Sequence, residues 1–252
     1  TWSQAAKIVT EDGAAGDQIG KGRFSTSVSY DGSVIAIGVY QDNTTGAGAT
    51  SSTPGAVYVF ERGAGWQDGF GNQAAKLTSS EIGTAAATAS LGYAVDISPD
   101  GSHIIASASG YDTGGTNGGA AFLFLRSGSS WTDGTESAIL TRSDDGEVGG
   151  DNEAFGWPVA ISADTDTIVV SDHNDPGGFA NWGAGYVFEK PAGGWGDMTE
   201  TAKLSASSPV SNDNLGTSIV VSGDGSVVAI GCHDDDDVVP AGGSIYVFTE
   251  PP

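Results

Sequence analysis

The residues best equipped for chemistry in this chain are carboxylates in two dense runs, "DDGEVGGDNE" at 144–153 and "HDDDD" at 233–237. Several carboxylate and carbonyl oxygens on a short loop are the ligand set that calcium prefers. Asp144, Asp145, Asp151, Asp234, Asp235 and Asp236 are therefore the candidate metal ligands, and calcium is the expected cofactor. Neither run has EF-hand spacing, and the same residues read equally as a solvated acidic surface. His173 and His233 sit in matching contexts, "SDHND" and "CHDDDD". Flanking Asp would suit a transition metal there, and repeated loop residues give the same pattern. No nucleophile elbow, phosphate loop or fixed pair of carboxylates stands out, so no catalytic residue is assigned and a non-enzyme is expected. A separate contact site is suggested by Phe179 and Trp182, two aromatics in the Gly-rich stretch "DPGGFANWGAG". Such a pair suits a protein or carbohydrate partner.

The charge balance narrows the partners. Nine Lys and Arg against 32 Asp and Glu leave a net charge of −23. Nucleic acid is excluded, because neutralising phosphates needs clustered positive charge. An anionic membrane surface is repelled for the same reason, and no apolar run approaches the ~20 residues of a spanning helix. Cys232 is the single cysteine, so an intrachain disulfide framework is excluded. A chain opening on Thr1, without Met or a basic leader, reads as a processed or trimmed end and fits an extracellular or cell-surface protein.

These loops must be held by something regular, and the regularity is a repeat. Trp2, Trp66, Trp131 and Trp195 recur at intervals of about 64 residues, and Phe60, Phe124, Phe188 and Phe248 follow in phase. Within each unit an alternating segment ("FSTSVSY", "YAVDIS", "WPVAIS", "TSIVVS") leads through a tight turn carrying Asp31, Asp100, Asp164 or Asp224. A continuous apolar run follows ("VIAIGV", "HIIASA", "TIVVSD", "VVAIGC"), then a long loop, then a third strand ("AVYVFE", "AFLFLR", "GYVFEK", "SIYVFT"). A Trp-bearing turn leads to a more polar fourth strand. Strands of period two whose polarity rises outward predict an all-β chain of four-stranded antiparallel blades, a four-bladed β-propeller in one domain. The units run over residues 11–78, 79–141, 142–204 and 205–252 plus 1–10. The last unit stops before its fourth strand, and "TWSQAAKIVT" at residues 1–10 is that strand. An unpaired edge is a liability, so Trp2, Ala6 and Ile8 are expected to close the blade against Tyr246 and Phe248. The strand comes from the same chain or from a neighbour, and the second case would propagate into a filament by strand exchange.

The units resemble FG-GAP repeats, the blades of integrin-alpha-type β-propellers. The likeness is carried by "AFGWPVAISADTDTIVVSD…GAGYVFEK…W…AKLS" and its copies. At the repeat's matching position only Phe155-Gly156 spells FG; Leu91-Gly92, Leu215-Gly216 and, in the first unit, Gly22-Arg23 stand in its place. The resemblance implies extracellular recognition by an adhesive or structural module. It does not carry over that family's calcium loop, because the connection between strands one and two here is a hairpin too short to wrap an ion. Asp31, Asp100, Asp164 and Asp224 read instead as turn residues. A filament subunit and a polysaccharide-active enzyme on the acidic face are the rival readings.

Overall fold

The structure is a computed structural model that describes residues 1–42, 54–80, 89–111, 118–144, 155–175, 181–208, 210–236 and 242–250. Asp145, Asp151 and Phe179 lie outside the described residues. The described chain is all-β. The first sheet holds β1 (Thr26–Val28), β2 (Val34–Val39), β3 (Ala56–Glu61) and β4 (Gln73–Thr78), each antiparallel to the one before. The second holds β5 (Leu91–Ile97), β6 (His103–Ala108) and β7 (Ala120–Leu125). After the two-residue β8 (Gly134–Thr135) it ends on β9 (Ala138–Thr141). The third holds β10 (Val159–Ile161), β11 (Thr167–Asp172), β12 (Ala184–Glu189) and β14 (Ala202–Leu204), while β13 (Met198–Thr199), between the last two in sequence, joins the edge of the second. The fourth holds β15 (Leu215–Val221), β16 (Val227–Cys232) and β17 (Ser244–Thr249).

One cassette shapes every first turn. Ser29 Oγ donates to Asp31 at 2.9 Å and accepts from Val34 N at 3.0 Å. Ser98 with Asp100, Ser162 with Asp164 and Ser222 with Asp224 repeat the arrangement. Hydrogen bonds from Ser33 and Ser29 hold the Asp31 carboxyl down at about 2. Burial opposes the same shift at Asp100, but Ser98 and Ser102 prevail and hold it at about 2 as well. The Asp residues thus serve the hairpins, where a short polar side chain can satisfy the turn's own amides.

Apolar clusters join consecutive sheets. Val59 and Leu77 of the first meet Ile104 and Phe124 of the second. Leu123 and Leu140 meet Phe155 and Phe188, and Val169 meets Leu215 and Ile230. Trp131 anchors the first of these junctions: it is 3% exposed, and its indole donates to Gly101 O at 3.0 Å. Trp195 repeats the bond to Thr165 O at 3.1 Å. Trp2 is fully exposed.

The rim is stitched by the turn before each outer strand. β8 runs parallel to β4 and β13 parallel to β9, one sheet reaching back to the last. Residues 1–10 obey the same rule: Ile8 bridges Gly69 in parallel, as Leu77 bridges Gly134 and Leu140 bridges Met198. The pairing expected between this segment and β17 is absent from the described ladders; β17 pairs with β16 alone.

Candidate functional site

The inner strands β1, β5, β10 and β15 together line a cavity of about 680 Å³. Its wall is mostly apolar, with Val95, Val159, Ile161 and Ile219 among the lining residues. Asp96 is its one carboxylate, and it ties three sheets together. It accepts from Ser27 Oγ at 2.9 Å and from Ile161 N at 3.1 Å, while burial pushes the carboxyl up.

Joined to this cavity through Arg23 is an arc of half-buried rings drawn from three sheets. Tyr40 meets Tyr93 edge to face with centroids 5.1 Å apart, and Tyr93 meets Trp157 at 5.1 Å. Trp157 in turn meets the His173 imidazole at 4.5 Å. The repeat makes the arc. Tyr93 and Trp157 each follow the positive-φ glycine that opens an inner strand, Gly92 or Gly156. Tyr40 and His173 each lie just past the end of a second strand. Two cations cap the rings: Arg23 Cζ lies 5.3 Å from the Trp157 centroid, and Lys21 Nζ lies 5.9 Å from that of Tyr40. Arg23 also lines the cavity. Burial, then His233 and Arg23, push the His173 imidazole down to about 4, so it is neutral near pH 7. Burial pushes the Tyr93 phenol up. The arrangement offers ring faces, ring edges and guanidinium donors beside an apolar cavity, the equipment of a binding surface.

The first unit reaches this geometry by a correction to the sequence reading. Gly22-Arg23 is not its glycine element: Gly20, at φ 71°, donates to Gly38 O as Gly156 donates to Ser171 O. Residues 21–23 are then an insertion, and it delivers Lys21 and Arg23 to the arc.

Nearby carboxylates sit in a second repeated cluster. The Tyr58 hydroxyl lies 2.6 Å from both Asp12 and Asp42, and Lys76 Nζ lies 2.5 and 2.9 Å from the same two groups. In the third sheet Tyr186 contacts Asp175, while Lys203 Nζ lies 2.5 Å from Asp144 and 2.9 Å from Asp175. Burial and the adjoining carboxylates push both phenols far up. In the fourth sheet Asp235 accepts from Ser244 at 2.5 Å and from Tyr246 at 2.9 Å.

Of the candidate metal ligands, Asp144 is thus held by Lys203, and Asp235 by Ser244 and Tyr246. Asp234 takes a hydrogen bond from Asn214 at 3.0 Å, and Asp236 is exposed. Among the described residues no group of three or more His, Cys, Asp or Glu is placed to hold a metal ion. Trp182 is half-buried, its carbonyl accepting from Leu215 N. Tyr246 and Phe248 pack toward the third sheet, and Ile8 against the outer face of the first. Ala6 and Ile8 are not brought to β17. Sequence reasoning missed the arc because its members belong to different units. The shared position of Tyr93 and Trp157 after their glycines was the available signal.

Sheets of antiparallel strands stacked around a cavity lined by their inner strands define a β-propeller fold. The FG-GAP repeat family model matches residues 2–60 and 198–248. No curated protein sequence is a significant match. Among solved structures, a putative TolB from Agrobacterium tumefaciens is similar at 15% identity and a TM-score of 0.47, over 89% of this chain and 57% of that one. The Dos1 propeller is similar at 14% and 0.48, over 89% and 43%. The periplasmic gluconolactonase PpgL of Pseudomonas aeruginosa is similar at 11% and 0.45, over 90% and 57%. The chain therefore spans 43% to 57% of the length of these proteins. Among the described residues no helix is long and apolar enough to cross a membrane.

Proposed function

We propose that the chain is a non-enzymatic extracellular binding module, a four-bladed propeller that engages a carbohydrate or protein ligand beside its central cavity. The carrying observation is the arc Tyr40–Tyr93–Trp157–His173 with Arg23 and Lys21 above it. Half-buried rings already packed edge to face lose little entropy on binding, and an aromatic beside an Arg is a frequent energetic centre of an interface. Several groups of a kind that serves catalysis have other partners here. The Cys232 thiol is buried and pushed up to about 12 by burial, then by Asp213 and Asp235. Asp12, Asp42, Asp144, Asp175 and Asp235 bond lysine, tyrosine or serine. Calcium enters this reading as a counter-ion that relieves the repulsion of −23 net charges. It should raise Tm beyond monovalent salt at matched ionic strength, and an equal effect of salt would remove it.

The test of the main reading is binding of the purified chain to immobilised polysaccharides and cell-surface proteins, with Trp157→Ala beside it. Loss of a central aromatic should weaken binding by about 30-fold. Unchanged binding in that variant would overturn the site. Release of new reducing ends from a polysaccharide would establish the enzymatic rival instead.

A further inference from the structure

We infer that the arc is built for an anionic saccharide, with Arg23 and Lys21 taking a carboxylate or sulfate group carried on the sugar. The inference rests on the arc being the binding site and adds the chemistry of what binds there.

Its first support is a pair of cations without counter-charges. Lys76, Arg142, Lys190 and Lys203 lie 2.5, 3.0, 2.8 and 2.5 Å from carboxylates. Arg23, by contrast, makes no ion pair or side-chain hydrogen bond with any described residue. Lys21 bonds the neutral Gln41 side chain, at 3.3 Å, and no described carboxylate. In a chain with 32 Asp and Glu, two neighbouring cations kept apart from them are available to an anion from outside.

The rings between these cations add donors that lack acceptors. Trp157 Nε1 is buried and has no hydrogen-bond partner among the described residues. The hydroxyls of Tyr40 and Tyr93 and the His173 imidazole also make no hydrogen bond to a described residue. A buried N–H without an acceptor carries a desolvation cost until one arrives. Carboxylate and sulfate oxygens only accept, so they complement such a set.

Arg23 is also held in position. The preceding Gly22 lies so close to the second sheet that a Cβ on it would sit 2.2 Å from Tyr93 O. Ser25 Oγ donates to Gly22 O at 3.0 Å, and Phe24 O accepts from Val95 N at 2.7 Å. The backbone is therefore fixed on both sides of Arg23, while its side chain stays exposed over the Trp157 ring. A guanidinium fixed in this way offers paired N–H groups to an oxyanion at little further loss of entropy.

A saccharide fits better than an acidic peptide. Each peptide unit brings a further N–H donor to a place already rich in donors, whereas a sugar hydroxyl can accept as well as donate. The half-buried faces of Tyr93 and Trp157 beside the charge suit the C–H face of a sugar ring.

The experiment measures binding of the 252-residue chain to polygalacturonate and to its methyl ester, which differ in charge on one backbone. Dextran sulfate beside dextran forms a second matched pair, and all are measured with chelator to prevent calcium bridging. A net charge of −23 repels every acidic polymer, so preference for the acidic form requires a local site. The acidic form of at least one pair should bind about 10-fold tighter or more, and which pair shows it identifies the anionic group. Arg23→Gln should bring that ratio near one, Arg23→Lys should keep most of it, and the charge-matched Lys190→Gln should keep all of it. Equal binding of acidic and neutral forms overturns the inference, as does a preference that survives Arg23→Gln or an absence of binding to all four polymers. Tighter binding of polyglutamate than of either acidic polysaccharide overturns it in favour of a peptide. In each of these cases loss of ligand binding in Trp157→Ala would leave the arc as the site. Binding that is unchanged in Trp157→Ala removes the site and the inference together.

Discussion

Arg142 and Asp172 form an ion pair at 3.0 Å, with both side chains almost wholly out of solvent. Asp175 and Asp144 lie 3.9 Å from the same guanidinium, and Lys203 neutralises both carboxylates from the other side. A buried pair adds little over an apolar pair, but removing one partner strands the other in low dielectric. Arg142→Ala should therefore cost about 3–5 kcal/mol. Asp172→Asn, which keeps an acceptor for Asn174 N, should cost less. Denaturant unfolding of both variants checks the order. Equal, small losses would mean the pair is solvated.

Trp131 joins the first and second sheets, so its removal should act on a junction rather than a blade. Trp131→Ala should cost about 3–5 kcal/mol through the cavity left behind. Trp131→Phe should lose about 1 kcal/mol with the hydrogen bond to Gly101 O. Trp2→Ala should leave the monomer's unfolding unchanged, because Trp2 touches nothing in the chain's own core. Equal effects at Trp2 and Trp131 would refute the difference in their roles.

The contrast shows what the sequence could reveal. The Ser–Asp hairpins and the strand order were readable because they depend on residues a few places apart, repeated four times. The family likeness rested on those same local signals. Three features were beyond it. The insertion at 21–23 shifts the first glycine element to Gly20, and spacing alone pointed to Gly22-Arg23. The arc from Tyr40 to His173 is assembled from three sheets, so no window of sequence contains it. The carboxylates at 144 and 235 looked like free ligands in sequence. Their partners, Lys203 and Tyr246, arrive from other strands.

His173 gives the arc a pH dependence of definite sign. Its folded pKa, about 4, lies below the usual 6.5, because burial and then His233 and Arg23 oppose its charge. The unfolded chain therefore binds the proton more readily, and stability rises with pH through this range. The contribution is intact above about 6.5 and is lost as pH falls toward 4. His173→Phe should keep the ring contact with Trp157 and flatten the stability profile between these values. Thermal melting of both proteins across that range tests it. Parallel profiles would show that His173 does not titrate as its surroundings dictate.

The glycine of the Leu91-Gly92 element should resist replacement for two separate reasons. Gly92 has φ of 93°, and a Cβ there would lie 2.6 Å from Ala56 O and 2.8 Å from the Gly38 Cα. Both contacts are backbone of the first sheet, which cannot rotate aside. Gly63 also has positive φ, 52°, yet an added Cβ meets nothing within 4 Å. The pair separates backbone strain from crowding between sheets. Gly63→Ala should cost about 1 kcal/mol, the left-handed penalty alone. Gly92→Ala should cost about 3 kcal/mol or more, because overpacking adds to that penalty. Leu91, buried beside it, would be drawn out of the junction it fills, so the first and second sheets should part before the rest of the chain unfolds. Hydrogen exchange in Gly92→Ala should show this as faster exchange in β2, β3 and β5 than in β11 and β12. Uniform acceleration would mean the glycine serves the whole fold and not its own junction.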